Sequence, residues 1–241
     1  MAVAARRALV TGANGGIGSA IVARLRADGF EVITLDVTPP ADLVVDLVND
    51  ELPAEALADI DVCVSNAGVV NILAPAHSMS AAKWDRDLAI NLTASFRVVQ
   101  ACLQGMRERR YGRIVLMSSI AATFGGTGQV AYSASKAGLL GVMNAVAAEN
   151  VARGITVNAV LPGVIATGNV LAMPEEVAER VHDRFLPSGR MGEPHEVAAV
   201  VAFLAADDAG YVTGQAIEVD GGTTLNPMSA GLGSEAPGSG R

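Results

Sequence analysis

Short apolar runs alternate with segments of helical periodicity along almost the whole chain. Residues 8–10, 31–36, 43–46, 61–65, 113–117, 155–160 and 215–219 each read as a strand. Between them, Ile17, Ile21, Val22 and Leu25 mark a first helix that stops at Gly29. Residues 53–58 give a short second helix, and residues 80–109 a long helical region. Further helices are predicted over 131–153, ended by Gly154, over 174–184, and over 194–206, opened by a proline in its first turn. In the long region Trp84, Leu88, Leu92 and Phe96 recur every four residues and read as a core stripe, with Asn91 a satisfied core amide. The segment 37–42 holds Pro39 and Pro40 and leaves no room for a crossover helix. Strand–helix alternation of this kind predicts one α/β domain: a doubly wound parallel sheet of about seven strands, with helices on both faces. That domain spans 1–225 and includes a lid over about 164–190; residues 226–241, rich in Gly, Ser, Ala and Pro, read as a flexible tail.

Composition sharpens this picture in two places. Hydrophobic residues make up 51% of the chain but aromatics only 4%, the mix that parallel strands covered on both faces require. The net charge of −8 argues against nucleic acid or an anionic membrane as the main partner. No apolar run approaches the ~20 residues that span a bilayer, residues 1–10 lack the apolar stretch of a secretory leader, and the cytoplasm is the expected compartment. Cys63 and Cys102 lie in apolar runs without a C-x-x-C partner and read as small buried hydrophobes. His77, His182 and His195 have no metal-ligand spacing, so no metal site is expected.

The first strand runs into Thr11-Gly12-Ala13-Asn14-Gly15-Gly16-Ile17-Gly18, and Asp36 closes the second strand eighteen positions after Gly18. Glycines there let the backbone approach a pyrophosphate, the helix N-terminus favours its charge, and a carboxylate accepts from the adenosine ribose hydroxyls. Gly12, Asn14, Gly15, Gly16, Ile17, Gly18 and Asp36 are therefore candidate dinucleotide contacts, although the spacing is G-x-x-x-G-x-G and not the commoner G-x-G-x-x-G. A carboxylate beside the 2′ position repels a 2′-phosphate, and neither Asn14 nor Val37 offers a compensating base, so NAD is expected over NADP. Asp46 and Leu47 follow a strand, where they either flank the adenine or serve as an ordinary strand end. Asn66, Ala67 and Gly68 are small or polar residues at a strand's carboxyl end, where open α/β sheets bind ligands.

Tyr132 and Lys136 are four residues apart and share a helix face. A free phenol, with a pKa of about 10, is a weak base at neutral pH; a nearby ammonium favours the phenolate and brings it into range for acid–base work. The hydroxyl pair Ser118-Ser119 ends the preceding strand, placed to hydrogen-bond the oxygen that gains or loses the proton.

With these residues in this order, residues 7–225 resemble the short-chain dehydrogenase/reductase family, through Thr11-Gly12, Gly16-Ile17-Gly18, Asn66-Ala67-Gly68, Asn91, Ser119, Tyr132, Lys136, Pro162-Gly163 and Asp220-Gly221-Gly222. The resemblance implies a Rossmann fold. It also implies roles: Tyr132 as general acid–base, Lys136 on the nicotinamide ribose and lowering the tyrosine pKa, and Ser119, thirteen residues before Tyr132, orienting the substrate oxygen. Asn91 would hold a water that relays protons to Lys136. Pro162, Gly163, Ile165 and Thr167 would contact the nicotinamide end. Ser65 replaces the family's first asparagine before Asn66, and the short 37–42 crossover trims the adenosine side.

The 3-oxoacyl-(acyl carrier protein) reductase-like branch is the nearest in pattern, through residues 189–194 and 220–222. Small or apolar candidate pocket residues (Val69, Val70, Ala121, Phe124, Val170, Leu171) lead to an NAD-dependent enzyme acting on a small, uncharged, hydrophobic secondary alcohol or ketone. A carrier-protein reductase using NADPH is the alternative. Two other classes are a non-catalytic dinucleotide sensor, disfavoured by the intact Tyr132 and Lys136, and a nucleotide-sugar epimerase or dehydratase, disfavoured by length. The resemblance further implies a homotetramer, with the 137–148 helix and the last strand at interfaces.

Overall fold

The structure is a computed structural model and describes residues 5–70 and 73–225; the expected tail at 226–241 and the side chain of His182 lie outside the described residues. Seven parallel strands form one sheet: β1 (Arg7–Thr11), β2 (Glu31–Asp36), β3 (Leu43–Val44), β4 (Val62–Ser65), β5 (Gly112–Met117), β6 (Ile155–Pro162) and β7 (Ala216–Val219). Their order is β3-β2-β1-β4-β5-β6-β7, so the winding reverses between β1 and β4 and opens a crevice at the carboxyl ends of these two strands.

Strand alternation builds two cores. Ala8, Val10, Val62, Val64, Val115, Met117 and Val160 face one side, with α1 (Gly16–Ala27) and α8 (Pro194–Ala205). Leu9, Cys63, Ile114, Leu116, Val157 and Leu161 face the other, with α2 (Ala54–Ala58), α4 (Ala94–Arg109) and α5 (Val130–Asn150). Leu9, Ile114, Leu116 and Leu161 are fully or almost fully buried, each worth about 1.5–3 kcal/mol of apolar burial. Cys63 and Cys102 are free and buried in the second core, as their runs predict. Gly18 sits in α1 so close to the first turn that a Cβ there would lie 2.0 Å from the Gly12 carbonyl oxygen. Only glycine lets this helix seat against the sheet.

Three expectations change. The third strand is two residues, not four, because Asp46 leaves the sheet to close a turn. The helix after Tyr132 ends at Asn150 and continues as a single 3-10 turn to Arg153 before Gly154. The stripe Trp84, Leu88, Leu92 and Phe96 is core only at Leu92, which packs partly against the second core: Phe96 is 42% exposed, the other three are half-buried, and the interior receives Asp87, Asn91, Ala94, Ser95, Val98 and Val99. Strict four-residue spacing walks around a helix by about 40° per step. A π turn (Ala89–Thr93) between α3 (Ala81–Leu88) and α4 rotates the face further.

Among the described residues no helix is long and apolar enough to cross a membrane, and no group of metal-ligating side chains occurs.

Candidate active site

The glycine-rich turn is held by the strand next door. Thr11, fully buried, accepts through its hydroxyl oxygen from the Asn66 and Ala67 amides at 3.0 and 2.9 Å. The Asn66 side-chain amide donates back to the Thr11 and Gly12 carbonyls at 2.9 and 3.1 Å. Gly12 turns with φ +63°, and a Cβ there would strike Ala67 Cα at 2.8 Å, so the β1 and β4 loops are locked in direct contact. The N-terminus of α1 carries no side-chain cap and no acid in its first turn. Its free amides at Gly16, Ile17 and Gly18 therefore face the crevice with a partial positive charge, which fits a pyrophosphate.

Asp36 is buried at the end of β2. One carboxylate oxygen accepts from the Asn14 amide at 3.0 Å, the other from the Thr38 amide and hydroxyl, both at 3.1 Å. Asn14 in turn donates its side-chain amide to the Thr38 carbonyl at 2.6 Å. Glycine turn and shortened crossover thus meet on one carboxylate. The Asp46 carboxylate accepts from the Val48 and Asn49 amides and from the Asn49 side chain, and these bonds hold its pKa below the usual carboxylate value. Leu47 packs partly against the second core.

At the carboxyl end of β5 the two serines separate. Ser118 donates to the Lys136 carbonyl at 2.8 Å inside the protein. Ser119 accepts from the Ala121 amide at 3.1 Å, and its hydroxyl lies close enough to the Tyr132 phenol to favour the phenolate. Ser119 is the serine facing the tyrosine. Lys136 is buried, donates to the Met117 carbonyl at 2.7 Å, and lies 5.9 Å from the Tyr132 ring centroid. Burial lowers the lysine's pKa to about 8. Burial also raises the Tyr132 pKa above 10.0, opposed by the Ser119 hydroxyl and reinforced by the Asp87 carboxylate. The tyrosine is held protonated, because desolvation outweighs the help expected from the ammonium.

Asn91 sits in the π turn, fully buried, and exchanges two bonds with Val69: the Val69 amide donates to its Oδ1 at 2.8 Å, and its Nδ2 donates to the Val69 carbonyl at 3.0 Å. Its side chain is therefore a strut for the loop after β4. Its main-chain carbonyl accepts from the Ser95 hydroxyl at 3.0 Å. Gly68 lies where a Cβ would come within 3.1 Å of both Asn91 Oδ1 and Lys136 Nζ, so loop, relay position and lysine converge.

After β6, Gly163 donates to the Val219 carbonyl at 3.0 Å and nests against Asp220, where a Cβ would sit 2.8 Å from its Cα. Thr167 touches Gly16, bringing this segment against the glycine-rich turn. The Ile165 side chain is buried in the first core, and its strand bridge to Gly192 fixes it there. The segment expected as a lid contains α6 (Gly168–Leu171) and α7 (Glu175–Phe185).

Sequence reasoning passed over Thr38, Ser135 and Arg97. Ser135 donates to the Tyr132 carbonyl at 2.7 Å and accepts from Asn91 Nδ2 at 3.3 Å. Nothing in the local pattern marks these three, since their partners lie in other elements or, for Thr38, follow a loop without helical period. Of the pocket candidates, Val70 and Phe124, on the loops beyond β4 and β5, and Leu171, at the end of α6 beyond β6, are largely exposed at the same carboxyl edge as Tyr132.

A doubly wound parallel sheet with an anion-ready first turn and a Ser–Tyr–Lys cluster at the carboxyl edge defines a nicotinamide-dependent oxidoreductase. The family model described as enoyl-(acyl carrier protein) reductase matches residues 51–224. An acetoacetyl-CoA reductase of Rhizobium meliloti is 41% identical over 240 residues, which cover 90% of this chain and 98% of that one. A 3-oxoacyl-(acyl carrier protein) reductase of Escherichia coli is 37% identical, covering 89% and 96%. A solved chain from Agrobacterium tumefaciens, described as a 2-deoxy-d-gluconate 3-dehydrogenase with bound NADP, superposes with a TM-score of 0.81 at 32% identity, covering 90% and 96%. The chain belongs to the short-chain dehydrogenase/reductase family, in its 3-oxoacyl-(acyl carrier protein) reductase-like branch.

Proposed function

We propose that this protein interconverts a secondary alcohol and a ketone with NAD as its dinucleotide, using Tyr132 as general acid–base. The observation that carries this reading is the placement of Tyr132 beside Ser119 at the carboxyl end of β5, one helical turn from the buried Lys136, whose Nζ lies 5.9 Å from the tyrosine ring centroid. When bound, the dinucleotide supplies or takes up the hydride. In the reducing direction the Tyr132 hydroxyl gives its proton to the substrate oxygen as that oxygen gains charge, and Ser119 donates to the same oxygen. The raised Tyr132 pKa keeps that proton available at neutral pH. Lys136 holds the nicotinamide ribose and recharges the tyrosine. Asn91 serves as the relay position through the main-chain carbonyl of its π turn, since its amide is committed to Val69. Ligand contacts come from the turn at Gly12, Asn14, Gly15, Gly16, Ile17 and Gly18, from Asn66, Ala67 and Gly68, and from Pro162, Gly163 and Thr167, with Ile165 offering main chain only.

Asp36 supports NAD. Its carboxylate is fixed by three hydrogen bonds at the end of β2, and the turn beside it carries Asn14 and Gly15 rather than a base. The apolar side chains of Val70, Phe124 and Leu171 support an uncharged reacting end on the substrate. We place the protein in the cytoplasm, as a homotetramer.

A second reading rests on different observations. Two relatives are named for acetoacetyl-CoA and 3-oxoacyl-(acyl carrier protein) substrates, and the Agrobacterium chain holds NADP. These favour reduction of a 3-oxoacyl thioester with NADPH. One experiment separates the readings: oxidation of NADH and NADPH, in parallel, over ketones, diketones and short 3-oxoacyl thioesters, with Tyr132→Phe as control. NADH turnover of simple ketones that the control abolishes supports the first. NADPH turnover confined to thioesters overturns it for the second.

A further inference from the structure

We propose that Arg97 is a positioning residue for the adenosine half of the dinucleotide, acting through the loop 46–50. This rests on the dinucleotide reading above and deepens it.

No helix lies between β2 and β3, so the adenosine side of the sheet ends in a two-residue edge strand and a loop. That loop starts against Asp36: the Val45 amide donates to the Asp36 carbonyl at 2.9 Å. Most of its own amides are satisfied from within. Asp46 accepts from the Val48 and Asn49 amides, Asp50 accepts from the Asp46 amide at 2.8 Å, and the Asp50 amide donates to the Asp46 carbonyl at 2.8 Å. One guanidinium takes three of the loop's carbonyls. Arg97 Nη1 donates to Leu47 O at 2.8 Å and to Val48 O at 3.4 Å, and Nη2 donates to Asp50 O at 3.1 Å. A planar fork with several fixed donors can hold three carbonyls at once, where an ammonium on a flexible stem holds fewer.

Arg97 lies in the first turn of α4, six residues beyond Asn91. One continuous helical segment therefore braces both ends of the crevice: Asn91 fixes the loop after β4 beside Lys136, and Arg97 fixes the loop after β3 beside Asp36. In a fold with a full crossover, a helix would brace this wall. Here Arg97 does so through hydrogen bonds, beside the packing of Val45, Leu47 and Leu52 on the second core.

The test uses the full-length protein and cofactor fragments that report the two halves separately. Isothermal titration with ADP-ribose reads the adenosine half. Turnover with reduced nicotinamide mononucleotide, which lacks adenosine, reads the other half. For Arg97→Ala the expected result is an ADP-ribose Kd and an NADH KM raised at least about tenfold, kcat with NADH within twofold, and mononucleotide KM within twofold. Arg97→Lys, which keeps the charge and part of the bonding, falls between, and serves as the working variant if the alanine protein does not fold. Unchanged ADP-ribose affinity in the folded variants overturns the proposal, and so does an equal loss with the mononucleotide, which marks general destabilisation. Absence of dinucleotide binding by the unsubstituted protein would instead overturn the functional reading itself.

Discussion

Lys136 donates its ammonium proton to the Met117 carbonyl at 2.7 Å and so ties α5 to the last residue of β5. The same bond leaves a charge fully enclosed by protein, and burial brings the lysine's pKa from 10.5 to about 8. Between these values the unfolded chain binds more protons than the folded one, so stability rises with pH across this window. Below pH 8 the charged lysine costs the fold up to about 3 kcal/mol. Lys136→Met removes the titration and the catalytic ammonium together. Urea unfolding should show the stability of the unsubstituted protein, relative to Lys136→Met, climbing by about 3 kcal/mol from pH 7 to 10.5. A flat difference would mean that Lys136 is not neutralised in that range. Turnover should be lost at every pH.

Tyr132 is held protonated by burial, which fixes a direction for its chemistry. Ketone reduction needs a proton to give, so its rate should stay level through neutral pH and fall only as the tyrosine ionises. Alcohol oxidation needs the phenolate and should climb through the alkaline range. Tyr132→Phe should lower kcat by about 10²–10⁴ in both directions, with ADP-ribose affinity and melting temperature nearly unchanged. Loss of ADP-ribose binding in this variant would make the tyrosine a structural residue.

The elements and the site differ in how legible they were in the chain. Strand and helix identity followed from period, because each strand supplies both cores through alternation, and Gly12, Gly18, Asn66, Ser119, Tyr132 and Lys136 sit where fixed spacing puts them. What depends on contacts between distant segments did not follow. The four-residue stripe from Trp84 to Phe96 looked like core only because a linear reading cannot see the π turn at Ala89–Thr93. The sequence left Asp46 between an adenine contact and an ordinary strand end, and the turn its carboxylate closes could not be read from it; nor could the burial of the Ile165 side chain in the first core. The Tyr132 pKa went the other way from the local Tyr–Lys argument because desolvation depends on everything around the ring.

Asp36 offers a direct test of cofactor choice. Asp36→Asn keeps an acceptor for either the Asn14 or the Thr38 donors, turns its NH2 toward the other, and removes the charge beside the ribose. The ratio of kcat/KM with NADPH to that with NADH should rise about tenfold or more, as expected for loss of one close like-charge repulsion in a partly screened site. Weaker hydrogen bonds to a neutral acceptor should also cost about 1 kcal/mol of stability. A ratio that does not move would mean the carboxylate serves only to join the glycine turn to residue 38, leaving NAD preference without its proposed cause.

Phe96 and Phe124 are both large exposed apolar side chains, 42% and 57% exposed, but they occupy different surfaces. Phe96 belongs to the half-buried stripe with Trp84, Leu88 and Leu92 along α3 and α4, a band of the kind that covers itself against a second copy. Phe124 stands on the loop after β5, at the edge that carries Tyr132. Phe96→Glu should therefore shift the protein to a smaller assembly in light scattering, while Phe124→Glu should leave the assembly intact and raise KM for hydrophobic ketones about tenfold, the effect of losing roughly 1–2 kcal/mol of apolar contact. If Phe96→Glu leaves the mass unchanged, the stripe is not the surface that joins subunits, and the exposed apolar residues of α8 and the β7 edge become the place to introduce the next charge.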